Sequence, residues 1–440
     1  MPAAADLDAL RAEALAATER YARAAFESEP EFVPGESKVP VAGKVIGAPE
    51  LRALVDAALD GWLTEGRFAD LFRARLSEVT ERPHVALVGS GSQANLLAVA
   101  AACSRLLERP LRPGDEVITP AVGFPTTVAP LYQHGLRPVY VDVEPGLYNP
   151  SLETFAEAIG PRTRAIVAAH CLGNPFDAPG LEALCTEHDL ILIEDCCDAL
   201  GSRIGGRLVG GFGAAATYSF YPAHHMTTGE GGAVATGDGA WARALASLRE
   251  WGRDCWCPTG VDDVCGRRFE GRYGALPEGY DHKYVFSQVG YNLKVTDLQA
   301  ALGLAQADRL PAFAQRRREN FERLLGAVTN LEDRLVLPRS LPGAEPSWFG
   351  FPITLREGGA AERRELQLHL LEQRIDSRLL LAGNMTLQPG FQGLEHRIVG
   401  ELAVADRVTE ASLWVGCHQQ LNAPMINWVA ECVTNWCERR

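Results

Sequence analysis

Two adjacent histidines lie in the stretch SFYPAHHMTTGEGG, which spans residues 219–232. An imidazole titrates near neutral pH, so a histidine in a polar turn after an apolar strand can act as a base in proton transfer. Adjacent side chains diverge, so we expect only one of the two to face a site. We predict that His224 is the base and that His225 is a packing residue or a bystander.

Cysteines form the second group of residues that could do chemistry. The stretch DCWCPTGVDDVC carries Cys255, Cys257 and Cys265 in a C-x-C-x7-C arrangement, and Cys197 lies upstream. Four thiolates suit either zinc or an iron-sulfur cluster. A location beside an organic cofactor would favour the redox-active cluster.

A carboxylate ends the apolar stretch LILIEDCCDALG, where Glu194 and Asp195 stand together. A buried carboxylate needs a cationic partner, and the protonated nitrogen of a pyridine ring would be one. Asp195 could equally cap the next helix. Residues two apart in a strand share a face, so Cys197 is predicted on the side of Asp195 and Cys196 on the opposite side.

The stretch VALVGSGSQANLLAVAAACSRLL predicts a strand, a Gly/Ser turn and a helix. The first turn of a helix presents free N–H groups and a positive dipole end. Gly91, Ser92 and Gln93 could therefore hold a phosphate group. A tight turn with a serine cap would give the same pattern. The spaced glycines of dinucleotide folds and of Walker loops are absent from this stretch.

The elements that must position these residues alternate between short strands and helices from about Val85 to Ser219. Such alternation is typical of an α/β fold with a mostly parallel sheet between helices, with function at the carboxyl ends of the strands. After a long helical stretch to about Val328, prolines and new strand signals indicate a smaller α+β unit. The strand candidates are VALVG, EVITP, RPVYVDV, RAIVAAH, LILIED and AAATYSF.

We therefore predict three parts of the chain: an N-terminal helical extension over residues 1–35, a large domain over 36–328 and a small C-terminal domain over 329–440. The extension is Ala-rich and acidic and lacks the features of a signal peptide. Its apolar residues recur at helical spacing, which predicts a helix that docks through one face. That face comprises Leu7, Leu10, Ala14, Ala17, Tyr21 and Ala24.

Composition excludes several classes of protein. The 440 residues carry a net charge of −14 without a basic segment, which argues against nucleic-acid binding. No apolar run approaches the roughly 20 residues of a membrane span, so we expect a soluble cytoplasmic protein. Eleven cysteines, an odd number, argue against a disulfide framework. Six scattered ones are predicted to be small apolar core residues: Cys103, Cys171, Cys185, Cys417, Cys432 and Cys437.

In the order of these motifs, the chain resembles the sugar aminotransferase and dehydratase family of fold-type I pyridoxal phosphate (PLP) enzymes. The resemblance runs from GKVIGAPELRALVDAALDGWLTEGRF through TPAVGFPTT to GYNLKVTDLQAALGLAQ and continues more faintly. It implies a homodimer with shared active sites. The implied cofactor contacts are Gly91, Ser92, Gln93 and Ser219 to the phosphate, Phe124 stacked on the ring, Asp195 at the ring nitrogen, and Asn292 reaching the phosphate from the neighbouring subunit.

The chain departs from that family at His224, which occupies the position of the lysine that forms the Schiff base. A transaminase needs that amine both to hold the aldehyde covalently and to move a proton, and histidine can do only the second. The resemblance then implies that pyridoxamine phosphate (PMP) binds without a covalent tether, with His224 as the base. A non-catalytic protein is the alternative. The lysines of the chain all lie outside the motif: Lys38, Lys44, Lys283 and Lys294.

The cysteine spacing is similar to that of the nucleotide-sugar 3-dehydrases typified by CDP-4-keto-6-deoxyglucose-3-dehydrase. Asp198 and Phe349 also fit that group. The similarity implies a 2Fe-2S cluster on Cys197, Cys255, Cys257 and Cys265, C3 deoxygenation of a nucleotide-linked 4-keto-6-deoxyhexose, and a flavin/iron-sulfur reductase or ferredoxin as electron donor.

Two further alternatives stay open. One is a hydrolytic dehydratase or aminotransferase whose four cysteines bind zinc or remain free thiols. The other is a PLP-binding regulatory protein on the same fold.

Overall fold

A computed structural model describes residues 4–26 and 31–439 of the chain. The helices in these ranges are α1 (Ala4–Phe26), α2 (Ala48–Leu59), α3 (Arg67–Thr80), α4 (Gly91–Ala102), α5 (Pro125–Gln133), α6 (Leu152–Ala158), α7 (Ala178–Glu187), α8 (Gly239–Arg249), α9 (Asp297–Ala307), α10 (Leu310–Val328), α11 (Ala360–Glu372), α12 (Ala403–Ala411) and α13 (Ala423–Glu438).

The strands in the same ranges are β1 (His84–Val88), β2 (Glu116–Pro120), β3 (Arg137–Val141), β4 (Thr163–Ala169), β5 (Ile191–Asp195), β6 (Arg203–Ile204), β7 (Arg207–Leu208), β8 (Ala215–Ser219), β9 (Gly232–Thr236), β10 (Leu335–Val336), β11 (Ala344–Glu345), β12 (Gly350–Leu355), β13 (Ser377–Leu379), β14 (Arg397–Ile398) and β15 (Ser412–Gly416).

The large domain is organised around an eight-stranded sheet with the order β1-β9-β8-β5-β4-β2-β3-β14. Its strands run parallel except for β9, which is antiparallel to both β1 and β8. The predicted mostly parallel sheet is therefore confirmed. Parallel strands covered on both faces read as continuous apolar runs, and β2 and β8 are buried along their whole length.

Helices cover both faces of this sheet and bury two apolar cores. One core gathers Leu97 of α4 and Leu131 of α5. The other gathers Phe72 of α3, Phe155 of α6 and Leu181 of α7. This layering leaves the carboxyl ends of the parallel strands and the first turns of α4 and α5 open on one edge of the sheet.

A second, antiparallel sheet with the order β10-β12-β15-β13 organises the C-terminal part. Its core also takes residues from α10, where the ring of Phe321 stacks on that of Trp348 at 3.7 Å between centroids. The second core thus begins within α10, upstream of residue 329. The short strand β14 leaves this unit and pairs with the outer edge of β3 in the large sheet.

The N-terminal helix docks on α2, but the face predicted from sequence is wrong. Leu7, Leu10 and Tyr21 are 54, 58 and 66% exposed, whereas Leu15 and Ala22 are buried. Of the other predicted residues, Ala17 and Ala24 are exposed and only Ala14 is partly covered. The helix is oriented by Arg11, whose side chain pairs with Asp56 and Asp60 of the α2 end.

The scattered cysteines behave as predicted. All eleven are free thiols, and those assigned to the core are buried except Cys103, which is partly exposed. Burial raises the pKa of Cys185 to about 12, as expected of a thiol that acts as an apolar residue. In the ranges that the structure describes, no helix combines the length and the apolar character of a membrane span.

Candidate active site

A cavity of about 650 Å³ opens where the carboxyl ends of β5 and β8 and the first turns of α4 and α5 face the small sheet. The large domain contributes Ser90, Gly91, Ser92, Phe124, Thr126, Thr127, Ala169, Asp195, Cys197, Asp198, Ser219, Tyr221, Ala223, His224 and Glu230. Residues from the C-terminal part close the other side: Phe349, Arg378, Leu379, Leu381 and Trp414.

The first turn of α4 forms one wall of this cavity. Ser90 caps the helix by accepting a hydrogen bond from the Gln93 N–H at 3.1 Å. A Cβ on Gly91 would lie 2.4 Å from the Cβ of Ser219 and 3.1 Å from the sulfur of Cys197, so only glycine allows this approach. The helix end therefore presents N–H groups of Gly91 and Ser92 beside the Ser219 hydroxyl, which suits a phosphate group.

Gln93 was predicted to contact the phosphate together with Gly91 and Ser92, but it does not line the cavity. Its N–H is taken by Ser90, and its side-chain oxygen accepts a hydrogen bond from the Gly89 N–H at 2.8 Å. The sequence also allowed a tight turn capped by a serine. The structure has that cap, formed by Ser90, and the N–H groups of Gly91 and Ser92 remain open to the cavity.

Asp195, the last residue of β5, is buried at the back of the cavity. Its Oδ2 accepts hydrogen bonds from Asn95 Nδ2 at 2.8 Å and from Thr127 Oγ1 at 2.7 Å, and its Oδ1 accepts one from the Cys197 N–H at 3.1 Å. Within residues 4–26 and 31–439 it has no ion pair. A fixed carboxylate without a cationic partner fits the protonated nitrogen of a pyridine ring.

His224 lines the cavity with one nitrogen beside a carboxylate. Its Nε2 lies 3.2 Å from Asp198 Oδ1, and its Nδ1 is enclosed without a hydrogen-bond partner in the part of the chain that the structure describes. The ring of Phe349 lies 5.2 Å away between centroids and that of Tyr221 lies 6.2 Å away. Asp198 can accept a hydrogen bond from Nε2–H and so fix the plane of the imidazole.

His225 turns away from the cavity into the core, as expected of a packing residue. Its Nε2 lies 2.6 Å from the carbonyl oxygen of Ser347. Burial, together with the charge of nearby Arg317, lowers the pKa of His225 well below its usual value, so the ring is neutral and donates to that carbonyl.

The remaining residues with predicted cofactor contacts lie in two places. Phe124, 51% exposed, precedes α5 at the mouth of the cavity, and Ser219 lies at its floor. Asn292 does not line the cavity of its own chain. It is exposed and accepts a hydrogen bond from Lys294 Nζ at 2.9 Å, while that ammonium lies 3.7 Å from the ring centroid of Trp251. A contact of Asn292 with a neighbouring subunit stays a prediction.

The four cysteines lie in two parts of the chain. Cys197 lines the cavity, whereas Cys255, Cys257 and Cys265 lie in a separate loop. In that loop the Cys257 N–H donates to the sulfur of Cys255, and the Val264 N–H donates to the sulfur of Cys257, both at 3.4 Å. These contacts suit thiolate ligands, but among the described residues no group of three potential ligand atoms within 4.8 Å includes any of the four. A 2Fe-2S cluster on Cys197, Cys255, Cys257 and Cys265 stays a prediction.

Strand alternation places Glu194 and Cys196 on the other face of the sheet, as predicted. With His170 they form the one described group of three potential metal ligands within 4.8 Å. Glu194 is already saturated, because its oxygens accept from the N–H groups of Gly210, Phe212 and Gly213 at 2.6–2.8 Å and contact His170 Nε2 at 3.2 Å. These bonds outweigh the effect of burial and lower the pKa of Glu194. The hydrogen bonds of Glu194 stabilise the turn formed by residues 210–213.

Sequence reasoning missed several residues of this site. Asn95 and Thr127 hold Asp195 but come from α4 and α5, and nothing in their local sequence marks them. Arg378, the one arginine or lysine that lines the cavity in the described ranges, comes from β13 of the small sheet. Only the three-dimensional fold brings these residues to the strand ends.

A family model for the DegT/DnrJ/EryC1/StrS aminotransferase family matches residues 44–434. The chain belongs to this family. The family resemblance inferred from the motifs is therefore confirmed, and so is the fold-type I architecture.

Relatives within the DegT/DnrJ/EryC1/StrS family include proteins named as dehydratases. The chain is 49% identical to the lipopolysaccharide biosynthesis protein RfbH of Salmonella typhimurium, over 93% of this chain and 94% of that protein. It is 47% identical to dTDP-4-dehydro-2,6-dideoxy-D-glucose 3-dehydratase of Saccharopolyspora spinosa, over 93% and 89%. The solved structure of E coli GDP-4-keto-6-deoxy-D-mannose-3-dehydratase with bound hydrated PLP aligns with a TM-score of 0.81 at 27% identity, over 90% and 98%.

Proposed function

We propose that this protein binds pyridoxamine phosphate in the cavity and removes the C3 hydroxyl of a nucleotide-linked 4-keto-6-deoxyhexose, in deoxysugar biosynthesis. The observation that carries the proposal is the imidazole of His224 in a cavity that no described lysine lines. Such a site can move a proton but cannot hold an aldehyde through a Schiff base. The relatives named as 3-dehydratases support the same reaction class.

The residues of the cavity fit the cofactor. The N–H groups of Gly91 and Ser92 and the hydroxyl of Ser219 would bind its phosphate, Asp195 would pair with its ring nitrogen, and Phe124 would cover its ring. The chemistry that pyridoxamine phosphate supplies is an amine that condenses with a keto group and a ring that accepts electrons. The PLP bound in the solved relative supports a cofactor of this class.

His224 would act on the methylene carbon beside the cofactor amine. Its imidazole would take the proton from that carbon, while Asp198, 3.2 Å from Nε2, would keep the ring in one orientation. The aromatic rings of Phe349 and Tyr221 flank the imidazole and limit the access of water. The base thus works in a confined and mostly apolar corner of the cavity.

We further propose that the removal of the C3 hydroxyl is reductive. In this proposal Cys197, Cys255, Cys257 and Cys265 bind a 2Fe-2S cluster. It rests on the cysteine spacing and on the two N–H to sulfur contacts in the loop. Cys197 lines the cavity, so a cluster that includes it would lie beside the proposed cofactor site. The reducing equivalents would come from a flavin/iron-sulfur reductase or a ferredoxin, and a homodimer would bring Asn292 of one chain to the phosphate site of the other.

An anaerobic ultraviolet and visible spectrum, with iron, zinc and sulfide assays on the same sample, tests the cluster. We expect charge-transfer absorption in the visible and about two irons and two sulfides per chain. Replacing Cys255 with serine should remove the absorption and the iron, whereas replacing Cys185, a buried thiol outside the set, should not. Zinc, or no metal, would instead favour the hydrolytic dehydratase or the aminotransferase, with glutamate-dependent turnover in the absence of a reductase.

The one arginine in the described lining of the cavity predicts how the nucleotide part is held. Arg378 is exposed and has no ion pair among the described residues, so it can bind the diphosphate of the substrate. Replacing it with glutamine should raise KM roughly tenfold to a hundredfold, because hydrogen bonds to charged groups contribute about 1.5–3 kcal/mol. The value of kcat should change little.

Steady-state kinetics with the nucleotide-linked sugar checks this prediction. Arg364, exposed on α11 and outside the cavity, gives the matched control with the same substitution. An unchanged KM in the Arg378 variant would mean that the diphosphate is bound elsewhere.

A further inference from the structure

A buried arginine connects the two sides of the cavity. Arg317 of α10 is the largest side chain in the described chain that is fully buried. Its Nη1 donates to the carbonyl oxygens of Trp348 and Phe349, both at 3.1 Å, and its Nη2 donates to that of His224 at 3.3 Å. One guanidinium therefore holds the turn that carries His224 and the segment that carries Phe349.

The charge of Arg317 is not offset by a salt bridge within the described ranges. Burial lowers the pKa of Arg317 to about 10, so the group remains protonated at neutral pH. A buried cation whose hydrogen bonds go only to neutral carbonyls is unfavourable for stability alone. Its hydrogen bonds to two separate segments instead point to a role that depends on where it holds the backbone.

A second hydrogen bond joins the same two segments. The neutral imidazole of His225 donates to the carbonyl oxygen of Ser347 at 2.6 Å. The Ser347 N–H in turn donates to Ser202 Oγ at 2.8 Å, and the Phe349 N–H donates to the Leu172 carbonyl at 2.8 Å. Segment 347–349 is thus fixed to the large domain on one side and to the histidine turn on the other.

These hydrogen bonds determine the position of His224, the proposed base, relative to Phe349. Two of the three carbonyls bound by Arg317 belong to His224 and Phe349, whose rings meet in the cavity with centroids 5.2 Å apart and an interplanar angle of 35°. A shift of either segment would move the imidazole away from Asp198 and from the space beside it. Errors of about 1 Å in the position of a reacting group can lower rates roughly 10²-fold.

We propose that Arg317 is a positioning residue for the catalytic base, and that with His225 it forms a clasp that fixes His224 against Phe349. This inference rests on the proposed function only in taking His224 as the base. Arg317 touches neither the cavity nor the reacting atoms, and it acts through the backbone of the residues that do.

The test compares Arg317→Lys and Arg317→Met with the parent protein. The rate at which PMP deuterated at its methylene carbon loses deuterium in the presence of a nucleotide-linked 4-keto-6-deoxyhexose reports on the base. We expect that rate to fall roughly 10²-fold in Arg317→Met and by less in Arg317→Lys, whose single ammonium can reach only one of the two segments. The KM for the sugar should stay within about twofold, because Arg317 does not line the cavity.

Two measurements that do not depend on turnover accompany the kinetics. One is the melting temperature. The other is the rate at which diethyl pyrocarbonate modifies His224 in the cofactor-free protein, followed by mass spectrometry of the peptide, and a looser turn should make it faster. Arg82 gives the matched control, because its guanidinium also binds two loop carbonyls, those of Gly210 and Gly213, away from His224. Arg82→Lys should lower the melting temperature and leave deuterium loss unchanged.

The outcomes separate the possibilities. Deuterium loss at the parent rate in a folded Arg317→Met protein, whatever its melting temperature, would overturn the positioning role and leave Arg317 as a structural residue. If Arg317→Met does not fold, Arg317→Lys and His225→Gln test the positioning role instead. Each should show slower deuterium loss with an unchanged KM, and deuterium loss at the parent rate in both would overturn the role. If the parent protein itself releases no deuterium, the proposed function fails and the clasp is judged by His224 modification alone.

Discussion

Replacing His224 with asparagine is expected to slow the loss of deuterium from the PMP methylene roughly 10²- to 10⁴-fold, the usual contribution of general base catalysis. Asparagine keeps the size and polarity of the side chain but cannot accept a proton at neutral pH. Asp198, which lies 3.2 Å from His224 Nε2, would then contact the asparagine side chain. Binding of PMP should be retained, since the phosphate and ring contacts proposed above do not involve His224.

Absorbance titration gives PMP affinity, and mass spectrometry gives deuterium loss in the presence of the sugar nucleotide. The matched control is His188→Asn, at an exposed histidine that follows α7 and does not line the cavity. Normal turnover by the His224 variant would rule out the assignment of the base. Loss of both binding and turnover would mean that the substitution had disturbed the whole cavity.

Replacing Asp195 with asparagine is expected to have the next largest effect, and to act on the cofactor itself. Both oxygens of Asp195 accept hydrogen bonds, from Asn95 and Thr127 on one side and from the Cys197 N–H on the other. In either orientation the new amide would turn N–H groups toward existing donors. An unsatisfied buried group costs about 1–3 kcal/mol, and the protonated ring nitrogen also loses its charged partner.

We expect the dissociation constant of PMP to rise roughly 10²-fold in the Asp195→Asn variant, and deuterium loss to fall even at saturating PMP because the ring becomes a poorer electron acceptor. Fluorescence or absorbance titration and the same deuterium assay measure both. Asp142→Asn is the matched control, because both oxygens of Asp142 also accept N–H hydrogen bonds, including those from Val404 and Ala405 at 2.8 Å, outside the cavity. Unchanged PMP affinity in the Asp195 variant would place the ring nitrogen elsewhere.

The parts of the site that could be predicted from the sequence are those governed by local periodicity. A strand alternates its side chains, so the order Glu194, Asp195, Cys196, Cys197 already implied which residues share a face. The apolar runs of the parallel strands and the turn before α4 were likewise visible locally, and they led to the edge of the sheet where the cavity lies.

The parts that could not be predicted depend on packing between distant segments. Thr127 reaches Asp195 only because α5 lies beside β5 in space, and Arg317 reaches His224 across 93 residues of sequence. The prediction of which face of α1 docks on α2 was wrong for a related reason. An Ala-rich helix offers several faces of similar hydrophobicity, and the ion pairs of Arg11 with α2 determine which one is covered.

The pairing of β14 with β3 limits how this chain can be divided. Residues 397–398 supply the outermost strand of the large sheet, although in sequence they lie between β13 and β15 of the small antiparallel sheet. A fragment that ends after α10 would leave β3 with a row of unpaired N–H and C=O groups, which invites aggregation through strand addition. The large sheet is therefore complete only when residues 397–398 are present, so its last strand can form only after nearly the whole polypeptide has left the ribosome.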